Sequence, residues 1–378
     1  MTIIDRYLLR QFIKAFVVCY VSLTGLYIVF DAFTNLEGFL RCSDEAGGLL
    51  NLLVSFYSFK ALLFLERTAG LLTLVAAMFT VSWIQRHNEM TALMAAGISR
   101  VRVIKPVVLA AVAVALFSAA NRELLMPRFR DELARSSKDL LGDVGRNLEP
   151  MYDNETNVLI RGKATYRADQ RIEQPNFLLP REMQDYGSQL SAANAYYHRP
   201  NRQRPGGYLL DEVEEPDGLA ELPSLRLGEQ VVVLTPRDAP DWLKPNQCFV
   251  VSNVSFDQLT GGKAFRQFAS TVQLIEGLRN PSLDFGADIR VAIHTRIVQP
   301  LMDITLLFLG LPLVVSRENR NVFLAIALCM GVTTFYLLLI IGCQHLGAIY
   351  LIDPALAVWL PLMISIPAAV GLAESMWQ

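Results

Sequence analysis

The chain has 378 residues, of which 52% are hydrophobic and 19% are charged. Because soluble domains carry about 25% charged residues, this composition excludes an ordinary soluble protein over the full length. The formal net charge of -2 excludes the overall basic character expected of a nucleic-acid-binding protein.

Long apolar runs lie at both ends of the chain and predict membrane-spanning helices, since a spanning helix needs about twenty mostly apolar residues. Six segments meet this requirement, in two groups of three. Their predicted cores are residues 15–30, 68–84, 106–121, 297–316, 321–344 and 354–373. The second helix can begin as early as Phe56, and the fourth contains one charge, Asp303.

Lysine and arginine in the short loops predict the orientation, because such loops are enriched in these residues on the cytoplasmic side. One side carries Arg6, Arg10, Lys14, Arg86, Arg100, Arg102, Lys105, Arg317 and Arg320. The loop 36–55 on the other side carries only Arg41, and the loop 345–353 carries no lysine or arginine. Both termini are therefore predicted to be cytoplasmic, with residues 122–294 outside the cytoplasm.

The middle of the chain reads as a β-rich domain that follows an amphipathic helix over 122–141, bent at Pro127. Partly alternating segments predict strands at 157–166, 207–213, 230–234, 248–256 and 265–274. Short strands separated by turns are typical of a sandwich, a jelly roll or an open barrel, and periodicity does not choose among them. Residues 270–278 can also turn helical. A bridge between Cys42 and Cys248 is conceivable, but the cysteines form no disulfide framework.

Sequence patterns of enzymes are missing. The segments at Gly162 and Gly262 lack the spaced glycine and the hydroxyl residue of a phosphate-binding loop. The four histidines do not have the spacing of a metal site, and no HExxH or GxSxG segment occurs. We therefore predict no catalytic activity, no cofactor and no metal.

The most informative segment is the loop 85–100 between helices two and three. Asn88 can cap a short helix whose first turn holds Glu89, and Gly97 is placed to end it. Met90, Leu93 and Met94 share one face, which needs a cover. A groove on a partner protein is favoured slightly over the bilayer surface, because methionine faces adapt well to other proteins.

This segment resembles the lipopolysaccharide-export permease family of the LptF/LptG (YjgP/YjgQ) type. The family pattern, a polar lead-in and then Glu-x-x-Ala-Leu-x-Ala-Ala-Gly-x-Ser, runs here from Glu89 to Ser99. Further matches are Asp5-Arg6-Tyr7 with Arg10-Gln11, Arg296 to Pro300, Leu309-Gly-Leu-Pro312 and Trp359-Leu-Pro361. The resemblance spans nearly the whole chain, although the middle domain matches by position only. Stretches in helices one and two favour the LptG-like member, but the sequence does not separate the two types securely.

The resemblance implies an α-helical inner-membrane protein with an inserted periplasmic, jellyroll-like β domain. The implied parts are 1–121 with a coupling helix at 88–97, 122–293 with the β domain and its leading helix, and 294–378. The implied partners are a cytoplasmic ABC ATPase dimer, a second related permease, a periplasmic bridge protein and the substrate lipopolysaccharide. The residues implied to couple ATPase closure to the permease are Arg86, Asn88, Glu89, Met90, Leu93, Met94 and Gly97.

Four cations near the predicted outer membrane boundary are candidate contacts for the phosphates of lipid A: Lys60, Arg67, Arg122 and Arg128. The alternative is that Lys60 extends to the interface and Arg67 pairs with Glu66 or another helix. Asp303 shares a helix face with Arg296 and Gln299, and a polar pair is favoured there over a substrate contact.

Two other classes of function remain possible from sequence. An ion-coupled secondary transporter would need broken helices and acidic midplane residues in both halves, whereas Asp303 is the only available candidate. A membrane-anchored assembly or receptor protein with a β binding domain would give the short helix at Glu89 no function.

Overall fold

The computed structural model describes residues 3–42, 48–134, 145–167, 169–201, 204–315 and 322–377. The chain divides into two compact units. The membrane unit comprises Met1–Leu133 and Gly286–Gln378, and the β-rich unit comprises Ala134–Phe285. The chain is thus a helical membrane protein with an inserted β domain.

Within the described residues, six helices are long and apolar enough to span a membrane, which confirms all six predicted spans. They are α1 (Ile3–Thr34), α3 (Leu49–Arg86), α5 (Arg100–Ala120), α9 (Ala287–Val315), α10 (Val322–Ala348) and α11 (Pro354–Trp377). Two short helices, α2 (Leu36–Cys42) and α4 (Glu89–Ala95), lie in the first group of three. Most of the helices extend beyond the predicted cores, because hydropathy identifies only the apolar part of a helix. The backbone remains helical in the polar residues on either side.

Helix α5 continues as a π-helical turn, Asn121–Leu125, called here the π-turn. The chain then bends at residues 126–129, around Pro127, before α6 (Arg130–Ala134). A helical continuation bent at Pro127 is therefore confirmed as far as Ala134, and the rest of the predicted helix lies outside the described residues. The predicted domain borders at 122 and 293 fall within the π-turn and α9.

Helix α9 is the central helix of the membrane unit and packs against α3, α5, α10 and α11. Two glycines allow α3 and α9 to approach closely. A Cβ atom on Gly70 would lie 2.5 Å from Asp303 Oδ1, and one on Gly310 would lie 2.6 Å from Leu74 Cδ1. These contacts join the two groups of three helices into one packed body.

The β-rich unit contains one antiparallel sheet of eleven strands in the described residues. The strands are β1 (Arg146–Asn147), β2 (Met151–Asp153), β3 (Val158–Arg161), β4 (Ala164–Tyr166), β5 (Arg171–Glu173), β6 (Asn176–Leu178), β7 (Gln189–His198), β8 (Gly207–Glu215), β9 (Leu225–Leu227), β10 (Gln230–Leu234) and β11 (Gln247–Val251). Along one edge of β7 lies β8, and the other edge is shared by β5 and β6. The sheet therefore divides beyond β7 into the arms β5-β4-β1 and β6-β3-β2.

Strands predicted at 207–213 and 230–234 are confirmed, and 157–166 divides into β3 and β4 on either side of Gly162. The strand predicted at 265–274 is wrong, because this segment lies in α7 (Phe256–Phe268) and α8 (Thr271–Arg279). Capping boxes start both helices: Ser255 exchanges hydrogen bonds with Gln258, and Ser270 with Gln273. The alternative prediction of a helix over 270–278 is confirmed as α8. Cys248 is a free thiol in the core, and burial raises its pKa to about 12.

The turn between β2 and β3 is held by the carboxylate of Glu155. It accepts hydrogen bonds from Asn253 Nδ2 at 2.7 Å, Ser282 Oγ at 3.0 Å and Gln230 Nε2 at 3.1 Å. These donors belong to β10 and to the segments that follow β11 and α8. The hydrogen bonds from Asn253 and then Gln230 lower the pKa of Glu155.

We predict that Glu155→Gln destabilises the chain at neutral pH and that its difference from wild type shrinks in acid. A lowered folded-state pKa gives stability above the unfolded pKa, and this stability is lost as pH falls through the folded value. The loss should therefore begin below a pH of about 4.5, the ordinary pKa of the side chain. Unfolding of the full chain across this range measures it, with Glu214→Gln at an exposed site as control. A difference that does not depend on pH would contradict this role of Glu155.

Candidate functional site

The candidate coupling site is built around α4, in the loop between α3 and α5. Helix α5 begins at Arg100, and the Ser99 side chain caps it by accepting from the Arg102 N–H. A helix as short as α4 is not stable in isolation. Its two ends and the contacts of its inner face therefore decide whether it is a defined element.

Asn88 precedes α4, but the prediction that its side chain caps the helix is wrong. Asn88 adopts a left-handed conformation with φ of 56°, and its side chain makes no capping hydrogen bond. The chain must turn sharply between Arg86 and Glu89, and asparagine tolerates the left-handed region better than most residues. Asn88 therefore contributes to the turn through its backbone.

Gly97 ends α4 as predicted. The Gly97 N–H bonds to the Met94 carbonyl at 2.9 Å, and the Ile98 N–H bonds to the Leu93 carbonyl at 3.0 Å. This double pattern is a Schellman motif, which requires a left-handed residue at the position of Gly97. Its φ of 79° meets that requirement, so the geometry explains why glycine occupies this position.

The apolar face of α4 packs against the chain's own helices. Met90 is 4% exposed and forms a buried cluster with Leu8 of α1, Ile84 of α3 and Val103 of α5. Leu93, Met94, Ile4 and Ile98 pack around this cluster while partly buried. The prediction that this face needs a partner groove or the bilayer surface is therefore wrong. These side chains instead fix α4 to three spanning helices.

The opposite face of α4 consists of small exposed residues, namely Thr91, Ala92, Ala95 and Ala96. Beside it lies an open cavity of about 310 Å³. The lining residues are Ile4, Tyr7, Leu8, Ile84, Glu89, Ala92 and Leu93. Glu89 Oε1 accepts a hydrogen bond of 3.2 Å from Tyr7 Oη, and Asp5 pairs with Arg102 at 3.7 Å. The beginning of α1 is thus part of the site, and the only sequence signal for it was the Asp5-Arg6-Tyr7 match.

Gln85 connects this site to the second group of helices, which the sequence did not predict. Its Nε2 donates to the Val314 and Val315 carbonyls at 3.2 and 3.3 Å. Gln85 at the end of α3 therefore binds the last described turn of α9. Arg86 follows at the end of α3 with its side chain exposed.

Three of the four candidate head-group cations remain near the surface. Lys60 is half-buried, donates from Nζ to the Leu133 carbonyl at 3.0 Å and lies 5.3 Å from the centre of the Phe56 ring. Arg67 and Arg128 are exposed. The alternative that Arg67 pairs with Glu66 is wrong, because Glu66 pairs with Arg122 instead.

Arg122 does not fit the prediction of a head-group contact, because it is 8% exposed. Its guanidinium pairs with Glu66 and donates to the Arg296 carbonyl inside the membrane unit. Asp303 accepts a 2.9 Å hydrogen bond from Gln299 Nε2, which is the polar pair favoured from sequence. Both charged residues therefore serve contacts between or within helices.

We predict that Gly97→Ala costs about 1 kcal/mol of stability, since a Cβ disfavours the left-handed conformation by about that amount. It should also speed hydrogen exchange at the amides of residues 97 and 98, which close the end of α4. Gly97→Asn should cost less, because asparagine tolerates this region. Gly25→Ala, where a Cβ meets open space, is the control. Equal effects of alanine and asparagine at position 97 would contradict the conformational explanation.

A family profile described as "Lipopolysaccharide export system permease LptF/LptG" matches residues 6–187 and 229–374. A comparison with curated proteins gives no match. The matched ranges include α4 and most of each spanning helix, and they confirm the resemblance noted from sequence. The chain therefore belongs to the LptF/LptG family of lipopolysaccharide export system permeases and is a multi-pass protein of the inner membrane.

Proposed function

We propose that the chain is the permease subunit of an ATP-driven exporter. It removes lipopolysaccharide from the inner membrane and passes it to a periplasmic bridge protein, toward the outer membrane. The observation that carries this proposal is the rigid attachment of α4 to three spanning helices, with a small-residue face left open. Hydrolysis of ATP belongs to a separate cytoplasmic ATPase dimer, and a second related permease completes the membrane part.

The proposed orientation places α4 and both termini in the cytoplasm and the β-rich unit in the periplasm. Arg86, Arg100, Arg102 and Lys105 flank α4 in a short loop, as expected on the cytoplasmic side. This orientation presents the open face of α4 to a soluble ATPase. It also places the sheet on the side where a bridge protein would receive the lipid.

Packing of α4 suggests how movement of the ATPase would reach the membrane. Met90 anchors α4 against α1, α3 and α5, while Glu89 contacts Tyr7 of α1. A displacement of α4 would therefore act on all three helices, and through Gln85 on α9. In this proposal Met90, Leu93 and Met94 are internal anchors, whereas Glu89, Ala92 and the neighbouring alanines face the ATPase.

We predict that Ala92→Glu prevents the ATPase from co-purifying with the permease pair. A carboxylate would be buried without a partner in the small-residue interface, and retention should fall at least about tenfold, equivalent to 1.4 kcal/mol. The assay is affinity purification of the co-expressed complex. Leu351→Glu, at an exposed site in the loop between α10 and α11, is the control.

Retention of the second permease would show that the Ala92→Glu chain is folded. Undiminished recovery of the ATPase from this variant would refute the proposed docking face. Met94→Asp is a less specific test, because Met94 packs inside the chain and its Sδ accepts from Arg100 Nε at 3.4 Å.

The proposed head-group contacts are Lys60, Arg67 and Arg128, which can attract the phosphates of the lipid. Arg122 is not included because it is buried. Lys60 is held by the Leu133 carbonyl, so its ammonium has a fixed position, whereas Arg67 is exposed.

We predict that Lys60→Gln combined with Arg67→Gln reduces photocrosslinking of lipopolysaccharide to the permease. Lipid-stimulated ATP hydrolysis by the complex should fall with it, while hydrolysis without lipid is unchanged. Arg226→Gln, an exposed cation on β9 of the β-rich unit, is the matched control. Unchanged crosslinking and stimulation in the double variant would remove both residues from the substrate site.

A further inference from the structure

Arg122 is a buried arginine whose contacts join three segments of the membrane unit. Its Nη1 lies 3.4 Å from Glu66 Oε1 of α3, and its Nη2 donates to the Arg296 carbonyl of α9 at 2.6 Å. The Nε atom is buried without a hydrogen bond, 3.8 Å from Glu123 Oε1. The shortest of these contacts is therefore made to a backbone atom.

Pro300 explains why the Arg296 carbonyl accepts from a side chain. In an α-helix this carbonyl would accept from the N–H of residue 300, and proline has no N–H. Pro300 lies inside α9, where an unsatisfied carbonyl is costly because no water replaces the missing donor. The guanidinium of Arg122 supplies that donor from another helix.

Glu66 and the π-turn keep the guanidinium in position. Glu66 has 18% of its side chain exposed and pairs with Arg122. The neighbouring residue Asn121 donates from Nδ2 to the Leu62 carbonyl at 3.2 Å. Two consecutive residues of the π-turn thus bind α3, and one of them reaches α9 as well.

The three helices have a defined place in the chain. Helix α5 and its π-turn precede the β-rich unit, and α9 is the first membrane-unit helix after it. The contact of Arg122 with Arg296 consequently joins the segment that leads into the β-rich unit to the segment that leads out of it.

We propose that Arg122 is a positioning residue that satisfies the carbonyl exposed by Pro300 and thereby fixes α9 against α3 and the π-turn. Its guanidinium acts as a two-sided connector between a carboxylate and a backbone oxygen, a geometry that a lysine ammonium does not reproduce. This contact keeps the π-turn and α9, the segments that lead into and out of the β-rich unit, at a fixed position relative to each other while the membrane helices move. Its importance for transport rests on the proposed function, whereas the bond itself does not.

The test is a double-mutant cycle on the full-length chain in lipid nanodiscs. Arg122→Met and Pro300→Ala are made singly and together, and the folding equilibrium is measured by denaturant titration. Alanine at position 300 returns a helical N–H to the Arg296 carbonyl. We therefore expect the factor by which Arg122→Met lowers the folding equilibrium constant to be about tenfold smaller in the Pro300→Ala background. This difference is equivalent to about 1.4 kcal/mol.

Pro312→Ala is the matched control, because Pro312 lies in the same helix but its removal returns no donor to Arg296. The loss in that background should equal the loss in wild type. If Arg122→Met yields no folded chain, Arg122→Lys takes its place in the cycle. Equal losses in the wild-type and Pro300→Ala backgrounds would overturn the proposal and leave the pair with Glu66 as the source of the loss.

A transport assay separates this inference from the proposed function. In proteoliposomes containing the complete complex, ATP-dependent release of lipopolysaccharide should fall with Arg122→Met and recover in part with the added Pro300→Ala. If the wild-type complex retained no ATPase, the proposed function would be contradicted, whereas the result of the unfolding cycle would be unaffected. Loss of transport without recovery, in a complex that retains its ATPase, would overturn the positioning role.

Discussion

Backbone carbonyls in an apolar environment need hydrogen-bond donors, and this constraint organises the membrane unit. Several polar or charged side chains donate to carbonyls on neighbouring helices or segments, among them Gln85 to Val314 and Val315, Arg122 to Arg296, Asn121 to Leu62, and Lys60 to Leu133. In lipid such donors cannot be replaced by bulk water. Much of the polarity inside this unit therefore serves contacts between its own segments, and this use competes with any role in binding a ligand.

The short helix α4 also depends on contacts within the chain. An isolated helix of seven residues does not persist in water, so its apolar face had to be covered. The cover is α1, α3 and α5 of the same chain, with Met90 at the centre. This packing makes α4 a firmly attached projection, and its outward face is left with small side chains that allow close approach. A firmly attached helix suits the transmission of movement better than one held only by a partner.

Local rules predicted some features correctly. Six spans followed from apolar length, and the end of α4 followed from Gly97, since both constraints act within a few residues. The strand expected at 265–274 failed because alternation was weighed more heavily than the capping pairs led by Ser255 and Ser270. Arg122 was misplaced because its partners Glu66 and Arg296 lie 56 and 174 positions away. The residues next to Arg122 in the sequence therefore do not indicate either partner.

Helices α3 and α9 are connected at two levels of the membrane unit. Arg122 bridges Glu66 to Arg296 at one level, and Gln85 bonds to Val315 at the other. Each helix advances 19 residues between these levels, or roughly 28 Å at 1.5 Å per residue, close to the roughly 30 Å thickness of the hydrocarbon core. The two connections are therefore about as far apart along the helices as the hydrocarbon core is thick. Because the two helices are connected at two separate levels, a movement imposed on α3 through α4 would carry α9 with it.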